Sequence, residues 1–186
     1  MKQDSGDAFF TKARPGRRPE MQPPEAVTIR RAVAADLDAI GALLEEVDEL
    51  HRHALPWLFR RVAGHEQTAF RDAFLSQSDH ATFLALAPDG TFAGVLYAFL
   101  RPPPRAPIVQ PAVVLELDAL AVKACFRRQG IGKQLVDAAL GWGSLAGATR
   151  TELGVFDFNA PARAFWAALG FQVLSYRMVR RSQPDT

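Results

Sequence analysis

A run of glycines and basic residues in the second half of the chain has the composition of an anion site. Arg127 and Arg128 precede Gly130 and Gly132, and an apolar helical pattern begins there. A helix N-terminus presents unpaired backbone N–H groups and the positive end of a dipole, and glycine lets a phosphate approach the backbone closely. We therefore interpret residues 127–133 as a pyrophosphate-binding loop, with a plain turn between a strand and a helix as the alternative.

Two common phosphate motifs do not fit this loop. A dinucleotide-binding fingerprint requires a third glycine where the chain has Leu135. A Walker loop requires Ser or Thr where the chain has Gln134, and a glycine where it has Arg127. The residues thus favour a pyrophosphate that is held by another kind of strand–loop–helix unit.

Composition places the chain among ordinary globular proteins. It has 186 residues, of which 48% are hydrophobic and 23% charged, and its formal net charge is only +2. That charge argues against a dedicated nucleic-acid binder. The sequence has no run of about 18 apolar residues, so it predicts no transmembrane helix. The single cysteine, Cys125, excludes an internal disulfide and a cysteine-based zinc site. We therefore expect a cytoplasmic protein that binds neither nucleic acid nor membrane and holds no metal.

The pattern of apolar residues predicts one domain behind a tail. Residues 1–25 are polar and rich in Pro and charge, which predicts a flexible tail, and the domain is expected over 26–182. Two hairpin strands precede strands that alternate with helices, which predicts a mixed α/β (α+β) sheet, antiparallel early and partly parallel late. The predicted strands are 27–30, 81–87, 92–100, 113–122, 151–156 and 171–176, and the predicted helices are 36–51, 65–76, 131–146 and 159–169.

With these elements in place, the chain resembles the GCN5-related N-acetyltransferase (GNAT) superfamily. The acetyl-CoA signature of that family, R/Q-x-x-G-x-G/A after a strand, is matched by Arg127-x-x-Gly130-x-Gly132. A second family element is an Asn followed by a helix that ends in an aromatic pair and Gly-Phe, and the segment 159–171 matches it. The resemblance covers about residues 27–180.

The resemblance implies a fold and a cofactor. The fold is a single domain with a mixed, mostly antiparallel sheet of six to seven strands and about four helices. The cofactor is acetyl-CoA, whose pantetheine arm pairs with the end of the long strand while the loop amides hold its pyrophosphate. A strand N–H also polarises the thioester carbonyl. The implied cofactor-binding residues are Leu120, Ala121, Val122, Arg127, Arg128, Gln129, Gly130, Ile131, Gly132, Lys133, Asn159, Phe165 and Trp166.

Three of these positions carry alternatives or departures. Asn159 has the plain helix N-cap as its alternative, and Phe165 has core packing. Many family members have a Tyr that protonates the leaving thiolate where this chain has Trp166. An indole N–H donates a hydrogen bond but is not an acid at neutral pH. We therefore expect the reaction to depend little on a general acid, with Tyr97 and Tyr176 as unplaced substitutes.

Two carboxylates on the long strand are candidates for the base. An attacking amine must be neutral, and the pKa is about 10.4 for a lysine-like amine and about 8 for an α-amine, so a base helps at neutral pH. Glu116 lies six residues before Val122, and Asp118 lies between them, so a regular strand places all three on one face. We take Glu116 as the catalytic base, as in some family members that modify lysines, and Asp118 as the reserve. The alternative is that either carboxylate only orients substrate or pairs with an arginine.

The resemblance also implies that residues 45–59 wall the acceptor site. This segment is acidic at first, then carries His51 and His53, and then Trp57. An acidic rim suits a cationic amine, and a solvated helix face is the alternative. The two histidines do not share a helix face, which argues against a metal site. The expected substrate-binding residues are His53, Trp57 and Asp118.

The activity implied by the resemblance is direct transfer of acetyl from acetyl-CoA to a primary amine of a small molecule or amino acid. Two alternatives stay open. One is acetylation of a protein N-terminus or lysine, and the other is a non-catalytic acyl-CoA-binding module, which the missing Tyr suggests. The expected partner is a small-molecule amine, and a homodimer is compatible with the chain.

Overall fold

The fold is built on one twisted sheet of five strands. A computed structural model describes residues 27–182, apart from the side chain of His65, and the predicted tail at 1–25 lies outside them. The strands follow one another across the sheet in chain order, with antiparallel pairing up to the fourth strand and parallel pairing between the last two. They are β1 (Thr28–Arg31), β2 (His80–Leu86), β3 (Phe92–Arg101), β4 (Val114–Val122) and β5 (Arg150–Leu153).

Helices cover both faces of the sheet. The helices are α1 (Leu37–Ala54), α2 (Gly64–Leu75), α3 (Ile131–Leu145) and α4 (Ala160–Ala168). On what we call the first face, Ile40 and Leu43 of α1 and Phe74 of α2 pack against the sheet. On the second face, Leu135 of α3 and Trp166 of α4 pack against its other side. The mixed α/β class and the four helices confirm the sequence-based fold class.

The predicted strand at 171–176 is wrong, and the sheet has five strands rather than six to seven. In the described structure this segment is not part of the sheet, and Val173, Leu174 and Tyr176 are 72%, 79% and 85% exposed. The segment has the alternation and residue types of a strand. Such a pattern is local, whereas a strand also needs a neighbouring edge to receive its hydrogen bonds.

Helix α2 also faces the sheet differently from the prediction. The spacing of the apolar residues predicts Ala69, Phe70, Ala73 and Phe74 on the inner side of this helix, but Arg71 and Phe74 are the buried residues. The Arg71 guanidinium lies 4.0 Å from the carboxylate of Asp48 on α1. An apolar pattern does not anticipate a buried arginine, and Phe70 is left 64% exposed. None of the described helices is both long and apolar enough to cross a bilayer.

A buried carboxylate links β1 to the start of α1 and should make the stability depend on pH. Asp36 accepts hydrogen bonds from Arg30 at 2.7 and 2.8 Å and from the backbone N–H of Val33 at 2.8 Å. The bonds from Arg30, partly opposed by burial, lower the pKa of Asp36 below its ordinary value of 3.8. Because the folded pKa is the lower one, this stabilisation is complete above the unfolded pKa and is lost as pH falls through the folded pKa.

We expect Asp36→Asn to lower the free energy of unfolding at neutral pH by about 1–3 kcal/mol. The loss should stay below that of a fully buried ion pair because Arg30 is partly exposed to solvent. Urea unfolding of both proteins at neutral pH and in the acid range measures this. The two stabilities should converge in acid, and a constant difference across the pH range would contradict the assignment.

Candidate functional site

The pairing between strands β4 and β5 ends in the middle of β4. Their parallel pairing ends at Leu117 and Leu153, where β5 also ends, whereas β4 continues to Val122. Among the described strands, residues 118–122 are paired with β3 alone. The other edge of this segment therefore has no strand partner and can receive a ligand, except at the backbone oxygen of Val122, which accepts a hydrogen bond from Arg127. The expected pantetheine contacts Leu120, Ala121 and Val122 all lie in this opening.

A β-bulge at Asp118 marks the start of the opening. Ala98 on β3 is opposite Leu117, and Tyr97 is opposite Ala119, so Asp118 is an extra residue on β4. Bulges of this kind redirect side chains and interrupt strand pairing. The structure therefore places a carboxylate at the point where β4 becomes free of β5.

The bulge overturns one expectation about the strand. Glu116 is opposite Phe99, which packs on the first face, so Glu116 also lies on the first face. Leu120 and Val122 pack on the second face instead. The expectation that Glu116 and Val122 share a face is wrong, because it assumed an uninterrupted alternation along β4.

Glu116 is engaged in an ion-pair network. The guanidinium of Arg101 lies 2.9 Å from the carboxylate of Glu116 and also bonds to Glu152 on β5. Glu116 lies in the part of β4 that is paired on both sides, and its two partners lie on the neighbouring strands β3 and β5. The geometry corresponds to the alternative in which the carboxylate pairs with an arginine, and it does not support the expected role of Glu116 as base.

Asp118 lies instead at an open cavity on the first face, beside α2. The cavity has a volume of about 280 Å³. Asp118 is exposed at the cavity, yet its surroundings partly desolvate the carboxylate. This desolvation, opposed by the nearby His80, raises the pKa of Asp118 above its ordinary value of 3.8. A higher pKa makes the carboxylate a stronger base. The lining residues are Phe70, Ala73, Phe74, Gln77, His80, Phe99 and Asp118.

His80 is a cavity residue that sequence analysis missed. It is opposite Phe99 at the start of β2, and its Nδ1 lies 3.2 Å from the backbone oxygen of Phe74. That oxygen only accepts, so Nδ1 donates in this contact. The sequence signal for His80 was that a polar residue comes directly before a predicted strand. Its neighbours follow only from the strand register, which aligns His80, Phe99 and Glu116.

The hydroxyl of Tyr97 is buried on the same face. No described residue forms a hydrogen bond with it that has normal geometry. Burial raises the pKa of Tyr97 to about 12, opposed by Arg71 and reinforced by Asp118 and Asp48. The hydroxyl therefore stays protonated, and it is a poor acid toward a thiolate, because a thiol has a pKa of about 8.5.

The glycine loop has the backbone shape of an anion site. Arg128 has a φ of +63° and Gly130 a φ of +80°, both in the left-handed region. Left-handed residues in such a turn direct neighbouring N–H groups toward a common point. Gly130 is the N-cap of α3, and no side chain caps this helix end. The first amides of α3 are therefore available to a ligand.

The polar side chains around the loop have local partners. Arg127 donates to the backbone oxygen of Val122 at 2.9 Å and pairs with Glu46 of α1. Lys133 pairs with Asp137 at 2.6 Å. Gln129 donates to the backbone oxygen of Cys125 at 3.2 Å. These side chains therefore hold the loop in place, and its backbone amides are the groups that could bind an anion.

Substitutions of Arg128 can separate the cost of its left-handed backbone conformation from its contribution to acetyl-CoA binding. The conformation costs about 1–2 kcal/mol for a residue with a Cβ. Arg128→Gly should therefore raise the free energy of unfolding by about 1 kcal/mol, whereas Arg128→Ala should leave it nearly unchanged. Both variants should bind acetyl-CoA more weakly if the guanidinium contacts phosphate. Thermal unfolding and calorimetric titration measure the two effects, and a destabilised Gly variant would contradict the assigned strain.

Three elements converge beside the opening of β4. A Cβ built on Gly132 of α3 would lie 3.2 Å from the ring of Phe165 on α4 and 3.9 Å from the side chain of Leu120 on β4. Helix α3, helix α4 and β4 thus approach one another at the position where the thioester arm was expected. Gly132 is needed for this approach, whereas Gly130 is needed for its positive φ.

Two of the expected cofactor residues, Asn159 and Trp166, have structural roles at helix α4. The side chain of Asn159 accepts a hydrogen bond from the N–H of Ala162 at 3.1 Å, so it caps α4 as its alternative role required. Trp166 is only 9% exposed and packs against Phe165 and Phe171. This position in the second-face core does not support the expected contact between Trp166 and the cofactor.

The expected acceptor wall on α1 is not where the cavity lies. His53 and Trp57 are exposed and are not among the cavity residues, and Arg181 stacks over Trp57 at 5.0 Å. The acidic residues of α1 are paired with arginines, since Glu46 bonds to Arg127 and Glu49 bonds to Arg52 and Arg61. The helix therefore presents neutralised carboxylates rather than a free acidic rim.

Comparison with solved structures identifies the same architecture in known proteins. A mutant of the BH1408 protein from Bacillus halodurans superposes with a TM-score of 0.79 at 22% identity, covering 84% of this chain and 99% of that one. A transcriptional regulator from Bacillus halodurans C-125 gives 0.68 at 21% identity, covering 84% and 99%. The aminoglycoside N-acetyltransferase AAC(6')-Iy in complex with CoA gives 0.65 at 22% identity, covering 86% and 96%. These likenesses establish the fold.

The family follows from the sequence. No curated protein is close enough in sequence to count as a relative. The family model described as the acetyltransferase (GNAT) family matches residues 44–171, which include the open half of β4, the glycine loop and α4. An anion-binding turn beside an unpaired strand edge also fits the pyrophosphate and amide-bearing arm of acetyl-CoA. The chain belongs to the GNAT family of acetyltransferases, whose members use acetyl-CoA.

Proposed function

We propose that the protein is an acetyl-CoA-dependent N-acetyltransferase that transfers acetyl directly to a primary amine of a small molecule or amino acid. The observation that carries the proposal is the position of Asp118. This one residue starts the open edge of β4, where the acetyl donor is expected, and lines the cavity on the first face. Donor and acceptor thus meet at a carboxylate.

The donor side of the site consists mainly of backbone groups. Acetyl-CoA supplies the acetyl group as a thioester when it is bound. The amides from Arg128 to Lys133 would hold its pyrophosphate at the N-terminus of α3. The free edge at Leu120, Ala121 and Val122 would pair with the pantetheine arm, and one N–H there would polarise the thioester carbonyl.

The acceptor side requires a base, and we assign this role to Asp118 rather than Glu116. Asp118 is at the opening with a raised pKa, whereas Glu116 is held by Arg101 at the paired end of the strand. The Asp118 carboxylate attracts the incoming ammonium and accepts the proton that the amine loses. His80 lies close enough to oppose the rise in the pKa of Asp118.

Free-thiol release from acetyl-CoA tests the proposal directly. The amine panel contains arylalkylamines, amino acids, polyamines, aminoglycosides and short peptides, and a thermal shift with acetyl-CoA reports binding in the same samples. Release that depends on a small amine supports the proposal. Release only with peptides would indicate a protein acetyltransferase. Binding of acetyl-CoA without release from any amine would indicate a non-catalytic acyl-CoA-binding module.

A further inference from the structure

Aromatic rings form most of the wall of the cavity that contains Asp118. Phe74 and His80 stack with centroids 4.1 Å apart and planes inclined by 14°. Phe99 meets these two rings edge-on at 6.3 and 5.3 Å. Phe70 also lines the cavity and remains 64% exposed. Phe74 itself is stacked between His80 and Tyr97, whose ring centroid lies 4.7 Å away. The rings that line the cavity still favour a further ring, because aromatic groups attract one another at centroid distances of about 4.5–7 Å.

The size of the cavity favours a compact acceptor. Its volume of about 280 Å³ lies just below the roughly 300–1,000 Å³ that is typical of sites for drug-sized ligands. A single ring with a short side chain fits such a space. A molecule of several linked sugar rings exceeds it and would extend over surface outside the aromatic wall.

The charge of the cavity favours one ammonium group. Among the described lining residues, Asp118 is the carboxylate, Gln77 adds a neutral amide, and His80 is a second titratable group, which acts to lower the pKa of Asp118. One carboxylate among aromatic rings matches a monocation. A polyamine would place its further ammonium groups against apolar walls, where no second carboxylate compensates for their lost hydration. On the same face, Asp48 of α1 acts together with Asp118 on the pKa of Tyr97, but it lies 4.0 Å from the guanidinium of Arg71.

We propose that the acceptor is an arylalkylamine, a primary amine that a short linker joins to an aromatic ring. Its ring lies between Phe70 and the Phe74–His80 stack, and its ammonium reaches Asp118 at the opening of β4. This assignment rests on the proposed acetyltransferase function and specifies the class of amine that the enzyme would accept. It differs from the polycationic, polyhydroxylated class that the names of the aminoglycoside acetyltransferase neighbours describe.

Binding to the CoA-bound protein tests the substrate class without any reaction. Calorimetric titration at saturating CoA compares 2-phenylethylamine with propylamine, which lacks the ring, and with spermidine and kanamycin. The aromatic amine should bind at least about tenfold more tightly than propylamine, as expected for burial of a ring. Phe70→Ala should remove most of this difference, and its exposure makes an intact fold the expected outcome. Leu145→Ala, which changes a 93% exposed residue of α3, is the matched control.

The outcomes separate the substrate class from the proposed function. Equal or tighter binding of spermidine or kanamycin would overturn the arylalkylamine assignment, as would an affinity for 2-phenylethylamine that Phe70→Ala does not change. Selective binding of 2-phenylethylamine with sensitivity to Phe70→Ala supports it. If this binding occurs but no amine is acetylated from acetyl-CoA, the cavity assignment stands and the proposed acetyltransferase function falls.

Discussion

Asp118→Asn is expected to lower kcat by about 10²- to 10⁴-fold, the range that a positioned base contributes. The substitution keeps the size of the side chain, replaces one acceptor oxygen by an amide donor and removes its basicity and charge. The affinity for acetyl-CoA should change little, because the donor contacts are backbone groups of the loop and of β4. Steady-state kinetics with saturating acetyl-CoA and the best amine of the panel measure kcat, and calorimetric titration measures the acetyl-CoA affinity.

The matched control for this prediction is Glu116→Gln. It should keep kcat within a few-fold, because Glu116 serves the Arg101–Glu152 network at the paired end of β4. A large loss in Glu116→Gln together with an active Asp118→Asn would make Glu116 the base. That result would contradict the assignment of Asp118, the extra residue in the bulge, as the base.

The pH dependence of the wild-type rate also tests whether Asp118 is the base. Activity requires the deprotonated form of Asp118, so kcat/KM should fall as pH drops through the pKa of this group. Since desolvation raises that pKa, the fall should begin at a higher pH than an ordinary aspartate with a pKa of 3.8 would give. A residual rate in Asp118→Asn should lack this acid limb.

Gly132→Val is expected to weaken acetyl-CoA binding at least about tenfold, which corresponds to about 1.4 kcal/mol. A Cβ at this position would lie 3.2 and 3.3 Å from atoms of the Phe165 ring, and the valine methyl groups would add to the conflict. Relief requires Phe165 or the start of α3 to move, and both border the opening of β4. Calorimetric titration with acetyl-CoA measures the loss, and Gly132→Ala should show a smaller one.

Gly141 of the same helix provides the control for this effect. A Cβ there would meet nothing within 4 Å, so Gly141→Ala should raise the free energy of unfolding by about 0.5–1 kcal/mol through helix propensity and leave acetyl-CoA binding unchanged. If Gly132→Val binds acetyl-CoA as tightly as Gly141→Ala does, the N-terminus of α3 is not the pyrophosphate site.

Local patterns in the sequence predict much of this fold. The helix from Leu37 and the helix from Ile131 follow from apolar residues at helical spacing, and the strands β2 and β3 follow from apolar runs around a Pro-Asp-Gly turn. The glycine loop was also predictable, since its composition and its place before a helix are local features. What failed was the last strand at 171–176, because strand pairing depends on a partner that no local pattern specifies.

The candidate site was less predictable because it depends on register. Counting along β4 places Asp118 on the same face as Val122, but the extra residue in the bulge changes the alternation, and only the pairing with β3 reveals it. His80 and Phe99 come together across two strands in the same way. Helix α2 buries Arg71 and leaves Phe70 at the cavity, and helical periodicity counted from apolar residues alone does not anticipate this.

The most direct test of the central claim is mass spectrometry of the products formed from acetyl-CoA that is isotopically labelled in its acetyl group. We expect the label to appear in an amide of a small primary amine, in amounts equal to the CoA released, and Asp118→Asn should form this product at least about a hundredfold more slowly. Release of CoA with the label in free acetate would indicate a hydrolase. Acetyl-CoA binding with no labelled amide from any amine would contradict the account and leave an acyl-CoA-binding module.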